Sequence, residues 1–249
     1  MSDLQHPDSR AFELVADLYE RARPEYPPEA IQWLADQLDL RDGRVVVDLG
    51  AGTGKLTRAL VATEAQVIAV EPGEAMLAQL RRAVPEAEAV LGAAEAIPLP
   101  DASVDALTVG QAFHWFRHDE ALPELHRVVR PGGGIALIWN SRDQSSPLQR
   151  EVNKLLASLV RPPRARVGHS ARYLAESDLF TSVEERSFGF VQELDADALV
   201  ERIGSISFVA AASEEEQRRL EWELRELVAE NGGAVAFPYV TDVYVTRAA

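Results

Sequence analysis

The sequence predicts an α/β fold with a largely parallel sheet, because short apolar strands alternate with amphipathic helices over residues 44–140. Residues 44–49 contain three consecutive valines, which is typical of a strand buried on both faces. Residues 55–63 and 73–84 carry apolar side chains at helical spacing. Right-handed crossovers bring the carboxyl ends of such strands to one crevice, where α/β sheets bind ligands.

The remaining elements follow from turn and capping signals. Further strands are predicted at 66–70, 87–91, 104–109 and 134–140, and a helix at 120–129 ends at the Arg-Pro-Gly-Gly sequence of 130–133. Later helices are predicted at 147–160, 196–203 and 214–230, the last with a capping box from Ser213 to Glu216. Residues 183–191 and 236–245 are predicted to pair as antiparallel strands at the sheet edge. With no long linker, residues 1–249 are predicted to form a single domain, divided into 1–43, 44–140 and 141–249.

Composition excludes several kinds of site. The 249 residues contain no cysteine, so disulfides, thiolate metal sites and a cysteine nucleophile are absent. With 40 acidic residues against 25 lysines and arginines, the net charge of −15 disfavours a nucleic-acid partner. The best basic patch, at 161–166, is short. No apolar run reaches about 18 residues, and the first thirty residues lack a secretory signal, so we expect a cytoplasmic protein with no membrane partner. No histidine pair has metal-ligand spacing with an acid, and we predict no metal.

A glycine-rich loop, Asp48-Leu-Gly-Ala-Gly-Thr-Gly-Lys55, follows the first strand. A phosphate-binding P-loop would need glycine at 49 and a hydroxyl at 56, and both positions are leucine. A dinucleotide fingerprint would place its third glycine at 55, which is lysine. This weakens an NAD(P)-dependent oxidoreductase of Rossmann type but leaves it as an alternative.

Four segments in order resemble the motifs of class I S-adenosylmethionine-dependent methyltransferases: 48–54, 67–77, 92–105 and 125–134. The segment QAFHWF at 111–116 resembles the small-molecule branch, with methyltransferase type 11-like and trans-aconitate methyltransferase-like proteins. The resemblance implies a Rossmann-like, seven-stranded, mostly parallel sheet with helices on both faces, an antiparallel last strand and a helical cap. It also implies S-adenosyl-L-methionine as cofactor and S-adenosyl-L-homocysteine as product. The expected reaction is O-, N- or C-methylation of a small molecule, with a carboxylate among the candidate acceptors. A non-catalytic protein that binds S-adenosylmethionine is a further alternative.

The resemblance also implies which residues bind the cofactor. Asp48 would hold the methionine ammonium, and Glu71, at the end of the second strand, would accept hydrogen bonds from the ribose hydroxyls. The small glycines would let the backbone approach closely. An N-terminal segment resembling Y-x-x-x-R-P-x-Y-P would fold over the cofactor. The predicted cofactor residues are Tyr19, Arg23, Asp48, Gly50, Ala51, Gly52, Gly54, Glu71, Pro72, Met76, Ala94, Glu95, Gly110 and Gln111.

The acceptor is expected at the aromatic segment after the fourth strand, covered by the later helices. There His114 is a candidate general base or acceptor-orienting donor, while its alternative role is to brace the loop. Arg142 could pair bidentately with an acceptor carboxylate, whereas His118 is expected on a surface helix. The candidate substrate residues are His114, Trp115, Trp139, Arg142, Tyr173, Phe208 and Trp222. We expect a small-molecule partner and a monomer or homodimer.

Overall fold

The computed structural model of the protein describes residues 23–159 and 171–249. Its centre is a seven-stranded sheet in the order β3-β2-β1-β4-β5-β7-β6. The strands are β1 Val45–Leu49, β2 Gln66–Glu71, β3 Glu88–Leu91, β4 Val104–Gly110, β5 Val129–Arg142, β6 Glu184–Leu194 and β7 Val235–Arg247. The helices are α1 Pro28–Leu38, α2 Lys55–Val61, α3 Glu74–Ala83, α4 His118–Val128, α5 Pro147–Ala157, α6 Arg172–Ala175, α7 Ala196–Gly204, α8 Ser207–Ala210 and α9 Glu214–Glu230.

The sheet is mixed, as predicted. Strands β1 to β5 pair in parallel, and β7 runs antiparallel to β5 and β6. The order reverses between β1 and β4, so the carboxyl ends of these two strands flank the crevice where such sheets bind ligands. The predicted α/β class and the edge pair β6–β7 are therefore confirmed.

Helices cover both faces of the parallel part. On one face, apolar side chains of α1 and α2 pack on alternate residues of β1, β2, β4 and β5. On the other face, α4 and α6 pack on the opposite set, including Leu107, Leu137 and Trp139. This arrangement follows from the strands, whose central residues are buried on both sides and therefore need a helical layer on each.

Strand β5 is longer at both ends than residues 134–140, which the sequence predicted. It begins at Val129, which pairs with Val104 before the register shifts. The pairing of β5 with β4 ends at Ile138, the partner of Gly110. The pairing of β5 with β7 continues for four more residues, so β5 extends to Arg142. The extended β5–β7 ribbon therefore projects past the crevice.

A third apolar cluster lies on this projecting ribbon. It joins α5, α7 and α9 to the start of β7, with Leu199, Leu224 and Phe237 among its buried members. The predicted capping box at the start of α9 is present, since Ser213 and Glu216 exchange side-chain and backbone hydrogen bonds. We call α5, α7, α8 and α9 the cap. Within residues 23–159 and 171–249, no helix is long and apolar enough to cross a membrane.

Candidate active site

The glycine loop after β1 forms the floor of a cleft at the carboxyl ends of the strands. Gly50, Gly52 and Gly54 have φ values of 69°, 58° and 98°, which glycine adopts without steric cost. The amides of Gly50 and Ala51 both donate to the carbonyl of Val70, at 2.8 and 3.2 Å, which fixes the loop to the end of β2. A Cβ on Gly50 would lie 2.8 Å from the Cβ of Ala112, so only glycine lets the two loops approach this closely.

Gly54 has a packing role that the sequence analysis did not assign to it. It precedes α2, and a Cβ there would lie 3.1 Å from Val84 and 3.2 Å from Leu80, at the end of α3. It is also absent from the residues that line the cleft. Its small size therefore serves helix packing, in contrast to Gly50 and Gly52, which do line the cleft.

The cleft brings together residues from the N-terminal segment, from the ends of β1, β4 and β5 with the loops that follow β1 and β4, and from the cap. Of the predicted cofactor residues, Arg23, Asp48, Gly50, Ala51, Gly52, Gly110 and Gln111 line it. The sequence analysis missed Pro24, Tyr26, Thr53, Lys55, Leu56, Asn140 and Arg202, which also line it. Tyr26 belongs to a segment the sequence singled out, whereas Asn140 and Arg202 carry no local signal.

Asp48 is a fully buried carboxylate on the cleft wall. Its Oδ2 accepts a 2.6 Å hydrogen bond from Thr57 Oγ1, and its Oδ1 has no partner among the described residues. Burial, together with the negative charge of Glu71, raises the pKa of Asp48 to about 7, although the hydrogen bonds from Thr57 act in the opposite direction. A cationic donor reaching Oδ1 would stabilise the ionised form, so the site is suited to an ammonium group.

Glu71 ends β2 and connects the glycine loop to α3. One carboxylate oxygen accepts from the amide of Gly52 and the other from the amide of Gly73, both at 2.9 Å. Met76 also lies close to the glycine loop, because a Cβ added to Gly52 would be 3.8 Å from the sulfur of Met76. None of Glu71, Pro72 and Met76 lines the cleft described above, although Glu71 and Met76 adjoin its glycine loop at Gly52.

Ala94 and Glu95, which were predicted to meet an adenine, lie in a short turn closed by the bridge between Ala93 and Ala96. Ala94 is buried. The carboxylate of Glu95 accepts a 2.8 Å hydrogen bond from the amide of Arg117, the residue before α4. Glu95 thus satisfies a helix N-terminus, a structural role that the sequence analysis did not assign to it.

Residues 23–26, the described part of the N-terminal segment, lie along the cleft and are held by contacts with three other parts of the chain. Glu25 pairs with Lys55 at 2.8 Å, Asn140 donates to the carbonyl of Glu25 at 3.1 Å, and Arg23 donates to the carbonyl of Ser205 at 3.2 Å. A Cβ on Gly110 would lie 2.7 Å from the hydroxyl of Tyr26. Tyr19, the other residue predicted here, lies outside the described residues.

Comparisons with known proteins agree with this geometry. A family model for a methyltransferase domain matches residues 47–137, from β1 through most of β5. An uncharacterized methyltransferase of Mycobacterium tuberculosis is 40% identical over 238 residues, covering 94% of this chain and 93% of that protein. An uncharacterized methyltransferase of Schizosaccharomyces pombe is 36% identical over 236 residues, covering 92% and 93%. The chain belongs to the class I S-adenosylmethionine-dependent methyltransferases.

The fold of this methyltransferase also resembles a solved structure over most of its length. A putative type II methyltransferase from Anaeromyxobacter dehalogenans superimposes with a TM-score of 0.71 at 28% identity, covering 91% of this chain and 97% of that one. The similarity therefore includes the cap and the β6–β7 edge as well as the glycine loop.

The aromatic segment of the methyltransferase begins directly after β4. Gln111 has a φ of 58°, and its side chain donates to the carbonyl of Asn140 at 3.1 Å. Phe113 is buried, while His114 and Trp115 form a partly exposed turn with ring centroids 4.6 Å apart. This contact fits the bracing role for His114 and leaves its chemical role a hypothesis.

His118 is the first residue of α4, as predicted on a helix, and is partly buried. Its ring stacks on Tyr173 at 3.9 Å, and its Nε2 lies 3.1 Å from the carbonyl oxygen of Phe113. Burial lowers the pKa of His118. Tyr173, a predicted substrate residue, is thereby fixed against the aromatic segment.

The remaining predicted substrate residues do not share one location in the structure. Trp139 is 2% exposed and packs edge-on against Tyr244 in the core, on the opposite face of β5 from Asn140 and Arg142. Trp139 and Arg142 therefore cannot project to the same side of the ribbon. Trp222 is 63% exposed, because α9 buries Leu220, Leu224 and Val228 instead. Phe208 packs partly buried against the cap core.

Proposed function

We propose that this methyltransferase transfers the methyl group of S-adenosylmethionine to a small organic acceptor in the cleft under the cap. The observation that carries the proposal is the buried Oδ1 of Asp48, which has no partner among the described residues and lies on a wall shared with Gly50, Gly52 and Gly110. An acceptor of hydrogen bonds beside a glycine cradle fits the ammonium and backbone-like end of S-adenosylmethionine.

Other residues at and beside the cleft support the same cofactor. Each oxygen of a carboxylate can accept more than one hydrogen bond, so Glu71, which accepts from the amides of Gly52 and Gly73, would also accept from the two ribose hydroxyls. The backbone at Gly110 and Gln111 would contact the methionine end, and Arg23 would cover it. Pro72 and Met76 would pack against the adenine face, with Ala94 and Glu95 at its edge.

When bound, S-adenosylmethionine supplies a sulfonium methyl group, which is displaced in line as its bond to sulfur breaks and the bond to the acceptor forms. The protein contributes proximity and exclusion of water. The N-terminal segment, clamped by Lys55, Asn140 and the backbone of Ser205, would exclude solvent from above. His114 would orient the acceptor or remove its proton where the acceptor is an alcohol, phenol or amine.

A small acceptor agrees with the charge of the chain and with the cap. The net charge of −15 repels a polyanionic substrate. The projecting ribbon and cap helices line one side of the cleft through Asn140 and Arg202, which limits the space above the glycine loop. The cytoplasmic location and a monomeric or homodimeric state stay predictions.

The experiment has two steps. Calorimetry of the full chain with S-adenosylhomocysteine tests the cofactor, with NAD and NADP as competing ligands. Formation of S-adenosylhomocysteine is then measured across carboxylic acids, phenols and amines, for the wild type and His114→Ala. Binding of a nicotinamide dinucleotide without S-adenosylhomocysteine would reject the proposal. Cofactor binding without turnover on any acceptor would favour a non-catalytic binding protein, and full turnover in His114→Ala would remove the base role.

A further inference from the structure

Two arginines on the cap side of the cleft carry positive charge into the protein interior. Arg202, on α7, is 4% exposed and lines the cleft together with Asp48 and Gly110. Arg142, the last residue of β5, is partly buried beside it. They meet at Tyr239, which pairs with Arg142 across β5 and β7 and accepts a 2.7 Å hydrogen bond from Nε of Arg202.

Neither guanidinium has a counter-ion in the part of the chain that the structure describes. Nη1 of Arg142 and Nη1 of Arg202 are both buried without a hydrogen-bond partner among the described residues. The neutral ring and hydroxyl of Tyr239 are the contacts of Arg202, with the guanidinium carbon 5.5 Å from the ring centroid. Burial and the neighbouring charge of Arg202 lower the pKa of Arg142 to about 10. Two like charges buried together destabilise the fold unless an anion joins them.

We propose that Arg142 and Arg202 bind a carboxylate group of the acceptor molecule. The inference deepens the proposed function and rests on it. Guanidinium groups bind carboxylates through paired N–H donors, and both Nη1 atoms still have donors to offer. Tyr239 holds Arg202 from the side opposite these donors and so fixes its orientation.

The carboxylate of the cofactor itself fits this position poorly. That carboxylate shares a carbon with the ammonium that Asp48 would hold. Gly110, whose backbone would contact the methionine end, is level with Ile138 on β5. Arg142 follows Ile138 by four residues, on the order of 13 Å along the strand. An anion at Arg142 therefore belongs to a second molecule, farther out under the cap.

The inference also predicts an unusual effect on stability. Because Arg142 has no partner in the described part of the chain, Arg142→Met removes a buried charge and keeps most of the side-chain volume. We expect its melting temperature, without ligand, to equal or exceed that of the wild type by up to several degrees. A structural arginine would give the opposite result, a lower melting temperature.

The binding test uses the full chain loaded with S-adenosylhomocysteine. The probes are succinate, glutarate and benzoate, each compared with its amide, by calorimetry. We expect at least one carboxylate to bind roughly tenfold more tightly than its amide, and Arg142→Met and Arg202→Met each to weaken it about tenfold. The matched control is Arg218→Met, an exposed arginine of α9, which should change carboxylate affinity by less than about twofold.

The outcomes separate the two proposals. If the wild type fails to bind S-adenosylhomocysteine, the proposed function falls. If it binds S-adenosylhomocysteine but no carboxylate exceeds its amide, the acceptor site is overturned alone. The inference is also overturned if the Arg142→Met or Arg202→Met change lowers affinity for S-adenosylhomocysteine instead, since the arginines would then bind the cofactor. Arg202→Lys, which keeps the charge but loses the fork geometry, should retain folding and weaken carboxylate binding.

Discussion

The two sides of the cleft are built from different parts of the chain. On the cofactor side, Asp48 and Gly110 stand at or next to the carboxyl end of a strand, and Glu71, at the end of β2, adjoins the glycine loop. On the acceptor side, Arg142 and Arg202 come from β5 and α7 and meet at Tyr239 of β7. The first side follows from local backbone rules, whereas the second depends on packing between distant segments.

The two sides also differ in charge. On the cofactor side, the buried carboxylate of Asp48 has one oxygen without a hydrogen-bond partner among the described residues. On the acceptor side, Arg142 and Arg202 each have one buried guanidinium nitrogen without such a partner. Folded proteins leave few buried polar atoms unsatisfied, and those that remain call for an explanation. The negative charge on the cofactor side would select an ammonium group, and the positive charges on the acceptor side would select an anion. The two ligands would thereby be oriented relative to each other in a single cleft.

The largest expected effect is on the cofactor side. In Asp48→Asn, the amide can still accept from Thr57, but it presents an N–H₂ or a neutral oxygen to the ammonium. We expect affinity for S-adenosylhomocysteine to fall about 100-fold, because a buried charge-assisted hydrogen bond is lost. Calorimetry measures this. Asp101→Asn, at an exposed loop carboxylate paired with Arg127, is the control and should change little.

The assignment of Asp48 to the cofactor side would be contradicted if Asp48→Asn kept its affinity for S-adenosylhomocysteine and lost carboxylate binding. The buried acid would then serve the acceptor, and the assignment of the two sides would be reversed.

A smaller effect is expected from pH, because Asp48 has a raised pKa of about 7 in the free protein. Below that pH the free protein holds a proton on Asp48, and binding of an ammonium must release it. Affinity for S-adenosylhomocysteine should therefore rise with pH, approaching tenfold per unit well below pH 7, and level off above it. Calorimetry at pH 6 in buffers of different ionisation enthalpy should detect the released proton. A flat profile in the wild type, or an unchanged slope in Asp48→Asn, would contradict the assignment.

The sequence predicted the sheet and the position of the glycine loop at its carboxyl edge, for physical reasons. Buried strands and positive-φ glycines leave patterns that can be recognised locally, as at Gly50 and Gly52. At two of the predicted cofactor residues, the structure shows a structural contact that the sequence did not predict. Gly54 has the spacing of a ligand-binding glycine but packs against Leu80 and Val84, and Glu95 accepts a hydrogen bond from the start of α4.

The residues of the acceptor side could not be predicted from local sequence patterns. Arg202 has no motif, and its burial arises only when α7 packs over Tyr239. Trp139 was grouped with Arg142 on residue type alone, although the alternation of a strand sends the two side chains to opposite faces. The sequence predicted that this strand ends at residue 140. Had its extension to Arg142 been predicted, the alternation of side chains along a strand would have placed Trp139 and Arg142 on opposite faces.

The smallest expected effect concerns the boundary of the acceptor side at α9. Trp222 is 63% exposed, and the helix turns Leu220, Leu224 and Val228 toward the cap core. Trp222→Ala should therefore leave affinity for S-adenosylhomocysteine and for the best carboxylate probe within about twofold, with stability changed by about 0.5 kcal/mol or less. The comparison variant Leu224→Ala, on the buried side of the same helix, should destabilise the protein by about 2–5 kcal/mol. A tenfold loss of carboxylate binding in Trp222→Ala would instead extend the acceptor side to the exposed face of α9, and Arg142 and Arg202 would no longer account for it alone.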